Sequence, residues 1–197
     1  AASFAGGTSA KAIGDNSIAI GGATDKDDDD INTTGKQTPA HAAKANGRKS
    51  IAIGFNATAT ANAGDSVVMG TDAYSNEGAS IAIGRRARSE GNWGIAIGDT
   101  AIAGDSGAIS MGLASHGYGI SIGSTSHGAY QGSIALGDNA ESLGGYSVTI
   151  GTSASSAADA DHTVALGVSA KNSASYSTAL GHAANTTAVY SVALGAA

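Results

Sequence analysis

Small and aliphatic residues alternate in a short block that recurs along the whole chain. Ser80-Ile81-Ala82-Ile83-Gly84 shows it in full. The block ends in Gly at positions 21, 54, 70, 84, 98, 112, 123, 137, 151, 167, 181 and 195, which makes twelve copies. Seven of the eleven spacings are 14 residues, two are 16, one is 11 and one is 33. Self-similarity at a short fixed period marks a solenoid. The period is too short for a pair of helices, so each unit reads as one coil of β-structure.

Side chains alternate faces along a strand. The middle position of each copy is small or at most β-branched, as in Ala52, Ala82, Ala96, Ser110, Ser121 and Thr149. The flanking positions are aliphatic pairs: Ile51/Ile53, Ile81/Ile83, Ile95/Ile97, Ile134/Leu136 and Val148/Ile150. Only Thr178 breaks the apolar rule there. Three residues after the motif Gly stand Ala57, Ala73, Ala87, Ala101 and their equivalents. These read as the inward residues of a second strand, facing the Ala of the first. Such a coil fits Ala against Ala and little more, so the aliphatic ladder points outward. Exposed apolar patches of that extent mark interaction surfaces. Burial at about 25 cal/mol per Å² is the largest favourable contribution open to the ladder. Identical ribbons around a rotation axis bury it most economically. Three copies close a central core, and two leave a flatter seam. The alternative is a monomer with the Ile residues turned inward.

The motif Gly supplies a positive φ for the turn after the aliphatic strand. Ser17, Ser50, Ser66, Ser80 and Ser133 open the block, and as small turn residues they let neighbouring coils stack closely.

This repeat, a small residue followed by Ile or Val, Ala, Ile or Leu, and Gly at 14-residue spacing, resembles the head domain of YadA-like trimeric autotransporter adhesins. The resemblance covers Ser17 to Gly195. It implies an all-β fold: a left-handed parallel β-roll, or β-solenoid, of about twelve 14-residue coils, with three chains around one axis. It also implies a homotrimer displayed on the cell surface of a Gram-negative bacterium, anchored in the outer membrane through a C-terminal region outside this segment. The implied partners are a host matrix protein (collagen, fibronectin or laminin) or a host receptor of the CEACAM type.

An unbroken repeat makes the 197 residues one array. Residues 1–16 read as a degenerate N-terminal cap coil, with Phe4 placed to cover the open end of the core. Residues 17–197 form the head array, with a surface loop insertion at 22–42. Stacking about twelve coils at roughly 4.8 Å each gives a rod on the order of 55–60 Å. The net charge of −6 argues against nucleic acid, whose partners carry a basic stripe. The absence of cysteine removes disulfide and thiol chemistry. There is no initiator Met, signal peptide or long apolar run, which reads as a segment excised from a longer protein.

Chemistry-bearing residues are few. Arg85, Arg86 and Arg88 form the strong basic cluster, next to Tyr74 and below Ile102. Arg and Tyr are favoured interface types, and the plain alternative is pairing with Asp72 or Glu90. Trp93, Tyr118, Tyr146, His162, Tyr176 and Tyr190 recur just before the block and should stack as a column, interrupted at Gly107 and Gly132. The column serves either as a contact strip or as a shield for the turn edge. Asp27, Asp28, Asp29 and Asp30 crowd the 22–42 loop, which is a second candidate contact. Asp25-x-Asp27-x-Asp29 resembles the start of an EF-hand, but Asp30 and Lys36 stand where Gly and Glu are required. No metal and no cofactor is therefore expected. His116 and His127 occupy equivalent outer positions in adjacent coils and should be neighbours. The coil from Gly112 to Gly123 is three residues short and should leave a notch. No Ser sits in a nucleophile elbow, and the paired carboxylates lie in a loop. No enzyme is expected. An ice-binding solenoid would need a regular outward Thr ladder, which the chain lacks. A left-handed β-helix acyltransferase would need a hexapeptide period and a catalytic His. The alternative to the adhesive head is a structural fibre segment, for self-association or from a phage fibre.

Overall fold

The structure is a computed structural model that describes residues 2–22 and 41–195. The alternation of the block is realised as strands of three residues, such as Ile81–Ile83 and Ile95–Ile97. A two-residue strand follows each, such as Arg88–Ser89 after Ile81–Ile83. All the three-residue strands pair in parallel into one sheet, thirteen among the described residues. The two-residue strands make a second parallel sheet of twelve. Equivalent residues sit in register, Ile81 beside Ile95 and Ile95 beside Ile109. No described residue is helical.

The interior lies between the sheets and is thin. Ala52, Ala82, Ala96 and Ala135 of the first sheet are fully buried, as are Ala57, Ala73, Ala87 and Ala101 at the start of the second. The ladder residues Ile51, Ile53, Ile81, Ile83, Ile95, Ile97, Ile134, Leu136, Val148 and Ile150 are only half-buried and face outward. The inward-Ile alternative is thereby excluded. All ten are on one face of one sheet.

The interior also holds polar atoms that a reading of Ala against Ala leaves out. The block-opening serines are inside the coil: Ser50, Ser66 and Ser133 have no exposed surface. Each spans a turn rather than merely occupying it. Ser50 Oγ donates to the Gly47 carbonyl at 2.6 Å, and Ser133 Oγ to that of Tyr130 at 2.6 Å. Ser75 and Ser80 share a hydrogen bond at 2.5 Å across the coil, and Ser110 and Ser115 one at 2.7 Å. In these pairs each hydroxyl finds a partner within the coil, so neither buried oxygen is left to lose its solvation. Ser17, Ser89, Thr149 and Ser156 are buried with no side-chain hydrogen bond among the described residues.

Two turn positions carry positive φ on residues other than Gly in most coils. One precedes the inward Ala, as at Asp72 (57°), Arg86 (58°) and Thr100 (58°). The other precedes the block, as at Trp93 (56°), Tyr146 (51°) and Tyr176 (55°). Gly107 and Gly132 take this second position in two coils, and Tyr118 of the short coil does not adopt positive φ there. The αL conformation costs residues other than Gly about 1–2 kcal/mol. The conformation aims each N–H at the previous coil. Arg86 N–H donates to the Thr71 carbonyl at 2.8 Å, and Tyr176 N–H to that of Asp161 at 2.9 Å. The turns thus continue the inter-coil ladder instead of leaving backbone groups unpaired.

Phe4 departs from expectation. Phe4–Gly6 is a strand of the first sheet, and Phe4 pairs with Ile18. It is 58% exposed and heads the outward ladder instead of covering the core. Phe4-Ala5-Gly6-Gly7 is a further copy of the block, hidden because Gly6 replaces the second aliphatic residue. Most of the 22–42 insertion lies outside the described residues, and so do Asp27, Asp28, Asp29 and Asp30. The array is continuous across it, since Ile18 pairs with Ile51 and Lys11 with Lys44.

Candidate binding surfaces

The outward residues of the second sheet make a row along the rod: Tyr74, Arg88, Ile102, His116, His127 and Glu141 in successive coils. The residues before the inward Ala flank this row, because their αL turn tips them toward it. Together Asp72, Tyr74, Arg86, Arg88, Thr100 and Ile102 enclose an open cleft of about 480 Å³.

The charges of this cleft are unevenly spent. The Arg88 guanidinium stands over the Tyr74 ring, 5.5 Å from its centroid, and pairs with Glu90 at 2.6 Å. Asp72 accepts from Asn56 Nδ2 at 2.8 Å and is not the partner of an arginine. Arg85 lies outside the cleft, ion-paired to Asp99, which raises its pKa through the hydrogen bond and the opposite charge. Arg86 is exposed, with no ion pair among the described residues. The cleft therefore offers a free guanidinium beside Tyr74 and Ile102, a pairing suited to a ligand with one acidic and one apolar group. Trp93 is 68% exposed but belongs to the turn before the first sheet, not to this cleft. Of the basic cluster and its tyrosine, Tyr74, Arg86 and Arg88 come together and Arg85 stands apart; Trp93, a candidate from the aromatic column, is also outside the cleft.

His116 and His127 are stacked, with centroids 5.3 Å apart and ring planes at 15°. Tyr118 tilts against His116 at 5.1 Å. Burial pushes the His116 pKa down, the neighbouring His127 adds to this, and Glu90 opposes it. The short coil removes three residues between Gly117 and Ile120. Tyr118 fills the space by lying over Gly104, where a Cβ would meet its Cε1 at 2.8 Å.

The aromatic column forms in the C-terminal half. Tyr146 stacks on His162 at 5.3 Å, His162 on Tyr176 at 5.1 Å, and Tyr176 on Tyr190 at 5.2 Å. Trp93 and Tyr118 are not part of that stack. Beside it lies a second open cleft of about 450 Å³, which holds Tyr130, Tyr146, Asp159, Asp161 and His162. The sequence did not single out Asp159 or Asp161. The only signal was the 16-residue spacing from Gly151 to Gly167, which lengthens that coil.

Among the described residues, no three His, Cys, Asp or Glu gather into a possible metal site. No described helix is long and apolar enough to cross a membrane.

No curated protein matches the chain. Among solved structures, it is similar to the collagen-binding domain of the Yersinia adhesin YadA. The two are 25% identical over 92% of this chain and 82% of that one, with a TM-score of 0.42. The family model for the YadA head domain repeat matches residues 3–24, 41–57, 45–73, 61–87, 131–154 and 173–197, which is more than half of the chain. The unmatched stretches contain the shortened coil at 112–123 and most of the lengthened one at 151–167. The chain belongs to the YadA head domain repeat family.

Proposed function

We propose that the chain is the non-enzymatic adhesive head of a trimeric bacterial surface fibre, which attaches that fibre to host matrix or to a host cell receptor. Membership of the YadA head family supports an adhesin-type role and surface display. The observation that carries the trimer is the aliphatic ladder, which runs from Ile18 to Leu194 on one sheet, is broken only at Thr178, and is not covered by any other described residue. Placing three ladders on one axis hides them from water. It also leaves three copies of the second sheet facing outward. Weak contacts at three equal surfaces then sum through effective concentration. Anchoring in an outer membrane through a region outside this segment is part of the same proposal.

The cleft around Tyr74, Arg86 and Arg88 is the proposed contact. Collagen, fibronectin, laminin and a CEACAM-type receptor form the panel of partners to test. Sedimentation over a dilution series tests the assembly, with a species three times the 18.9 kDa chain as the expected result. Immobilised panel proteins test adhesion. Arg86→Ala should weaken binding to the true partner by about tenfold or more. Unchanged binding by this variant would remove the cleft from the reading, and a monomer at all concentrations would remove the fibre head.

A further inference from the structure

The two αL positions of a coil stand in the same relation to their strands. Arg86 lies two residues before the strand residue Arg88, and it flanks the outer row of the second sheet in the cleft it shares with Tyr74. Trp93 lies two residues before Ile95, as His162 does before Val164 and Tyr176 before Thr178. By the same geometry these rings flank the outer row of the first sheet, which is the aliphatic ladder. They widen its apolar face along one edge. Trp93 has Ala79 and Gly107 as its neighbours in the column, and a Cβ on Gly107 would meet nothing within 4 Å. An open gap therefore lies one coil from the indole. The opposite edge of the ladder is the turn after the motif Gly. Its first residue is polar in most coils, as at Thr71, Asp138 and Thr152. Leu113 and Val168 break that rule and are 55% and 48% exposed. Gly107 and Leu113 bracket the strand Ile109–Met111, and His162 and Val168 bracket Val164–Leu166.

We propose that the edge carrying Trp93 and the aromatic column is buried against the opposite edge of a second copy of this chain. The proposal rests on the three-chain reading above. All strands of the first sheet run in one direction. A threefold rotation that brings the ladders together therefore sets the edge before the block of one chain beside the edge after the Gly of the next, and like edges do not meet. Rotation also keeps each coil at its own height. Leu113 of one chain then faces the gap at Gly107 of its neighbour, next to Trp93, and Val168 faces His162 with the rings stacked on it. Two aliphatic side chains left exposed in the single chain acquire apolar partners, and the rings close the sides of the ladder against water. The column then belongs to the assembly and is not a strip for a host protein.

Trp93 is the sole tryptophan of the chain, so its fluorescence reads this seam directly. In the three-chain species acrylamide should quench it about threefold less than it quenches free N-acetyltryptophanamide or the single-chain Ile83→Asp variant. Leu113→Ala should restore much of the quenching while the protein still sediments as three chains. Val168→Asp should raise the concentration at which the chains separate about tenfold. In the Ile83→Asp background Val168→Asp should leave the melting temperature unchanged, because the carboxylate is solvated on a single chain. A three-chain protein whose Trp93 is quenched as freely as the free amide overturns the seam and leaves the trimer standing. Protection that survives Leu113→Ala overturns it too, as does an unchanged separation concentration in Val168→Asp. Protection that appears only when a host matrix protein is added would make the edge a contact strip and overturn it as well. A wild-type chain that sediments singly at every concentration overturns the trimer, and the seam with it.

Discussion

Gly84 and Gly107 both hold positive φ, +131° and +71°, yet their neighbourhoods differ. A Cβ on Gly84 would lie 2.3 Å from the Gly98 carbonyl oxygen of the next coil, whereas one on Gly107 meets nothing within 4 Å. The backbone cannot give way at Gly84, because its N–H is already bound to the Met69 carbonyl at 2.8 Å. Gly84→Ala should cost at least about 3 kcal/mol by this clash and the strained φ together. Gly107→Ala should cost about 1–2 kcal/mol, since the αL region at the same turn is occupied by Ala79 elsewhere. Chemical denaturation of the two variants checks this, and equal losses would mean that φ alone decides. The need for φ > 0 was legible from the position of Gly in the motif. The close approach was not, because it depends on the distance between coils. The serines were misplaced for a related reason: Ser is common in turns, and only the period-2 count from the buried Ala puts Ser80 on the inner face.

At the scale of single strands, the repeat predicted the pairs and missed what fills the gaps. His116 and His127 were expected as neighbours because equivalent positions in adjacent coils stand side by side, and the strands place them so. That Tyr118 would fold over Gly104 could not be read, since it follows from how a turn shortened by three residues closes. The stack gives a pH dependence. The groups facing His116 are His127, Tyr118 and Glu90, with Glu141 one coil further beside His127. The unfolded His116 takes up a proton near its ordinary value of 6.5, and the folded one only at lower pH. Between those two values the unfolded chain binds more protons, so stability falls as the pH drops through this window. It is fully present above pH 6.5. His116→Gln should flatten the acid side of a melting-temperature profile and leave the neutral side nearly unchanged. An identical acid slope in the variant would show that other groups govern it.

The whole molecule presents two sheets with opposite outer faces, and the difference between them decides how it assembles. The second sheet carries Tyr, Arg, His and Glu, which water can solvate. The first carries the aliphatic ladder, interrupted only at Thr178, with Phe4 at its head and Leu194, 72% exposed, near its end. The alternation of Ala and Ile made this division legible from the sequence. The cleft built by Asp159 and Asp161 was not legible, because it comes from departures from the repeat rather than from the repeat itself. Ile83→Asp tests the division directly. Ile83 is half-buried on the outside of the coil, so a carboxylate there is solvated in a single chain and the coil keeps its Ala82 and Ala87 interior. On a threefold axis the same change would bury three like charges with no partner, which a marginal interface cannot carry. The variant should sediment as one 18.9 kDa chain with its β-structure intact. Ile102→Asp, an equally half-buried change on the opposite sheet, should leave the mass at three chains and alter only ligand binding. If Ile83→Asp still sediments at three chains while Ile102→Asp falls apart, the second sheet is the assembly face and the cleft around Tyr74 and Arg86 lies inside the trimer.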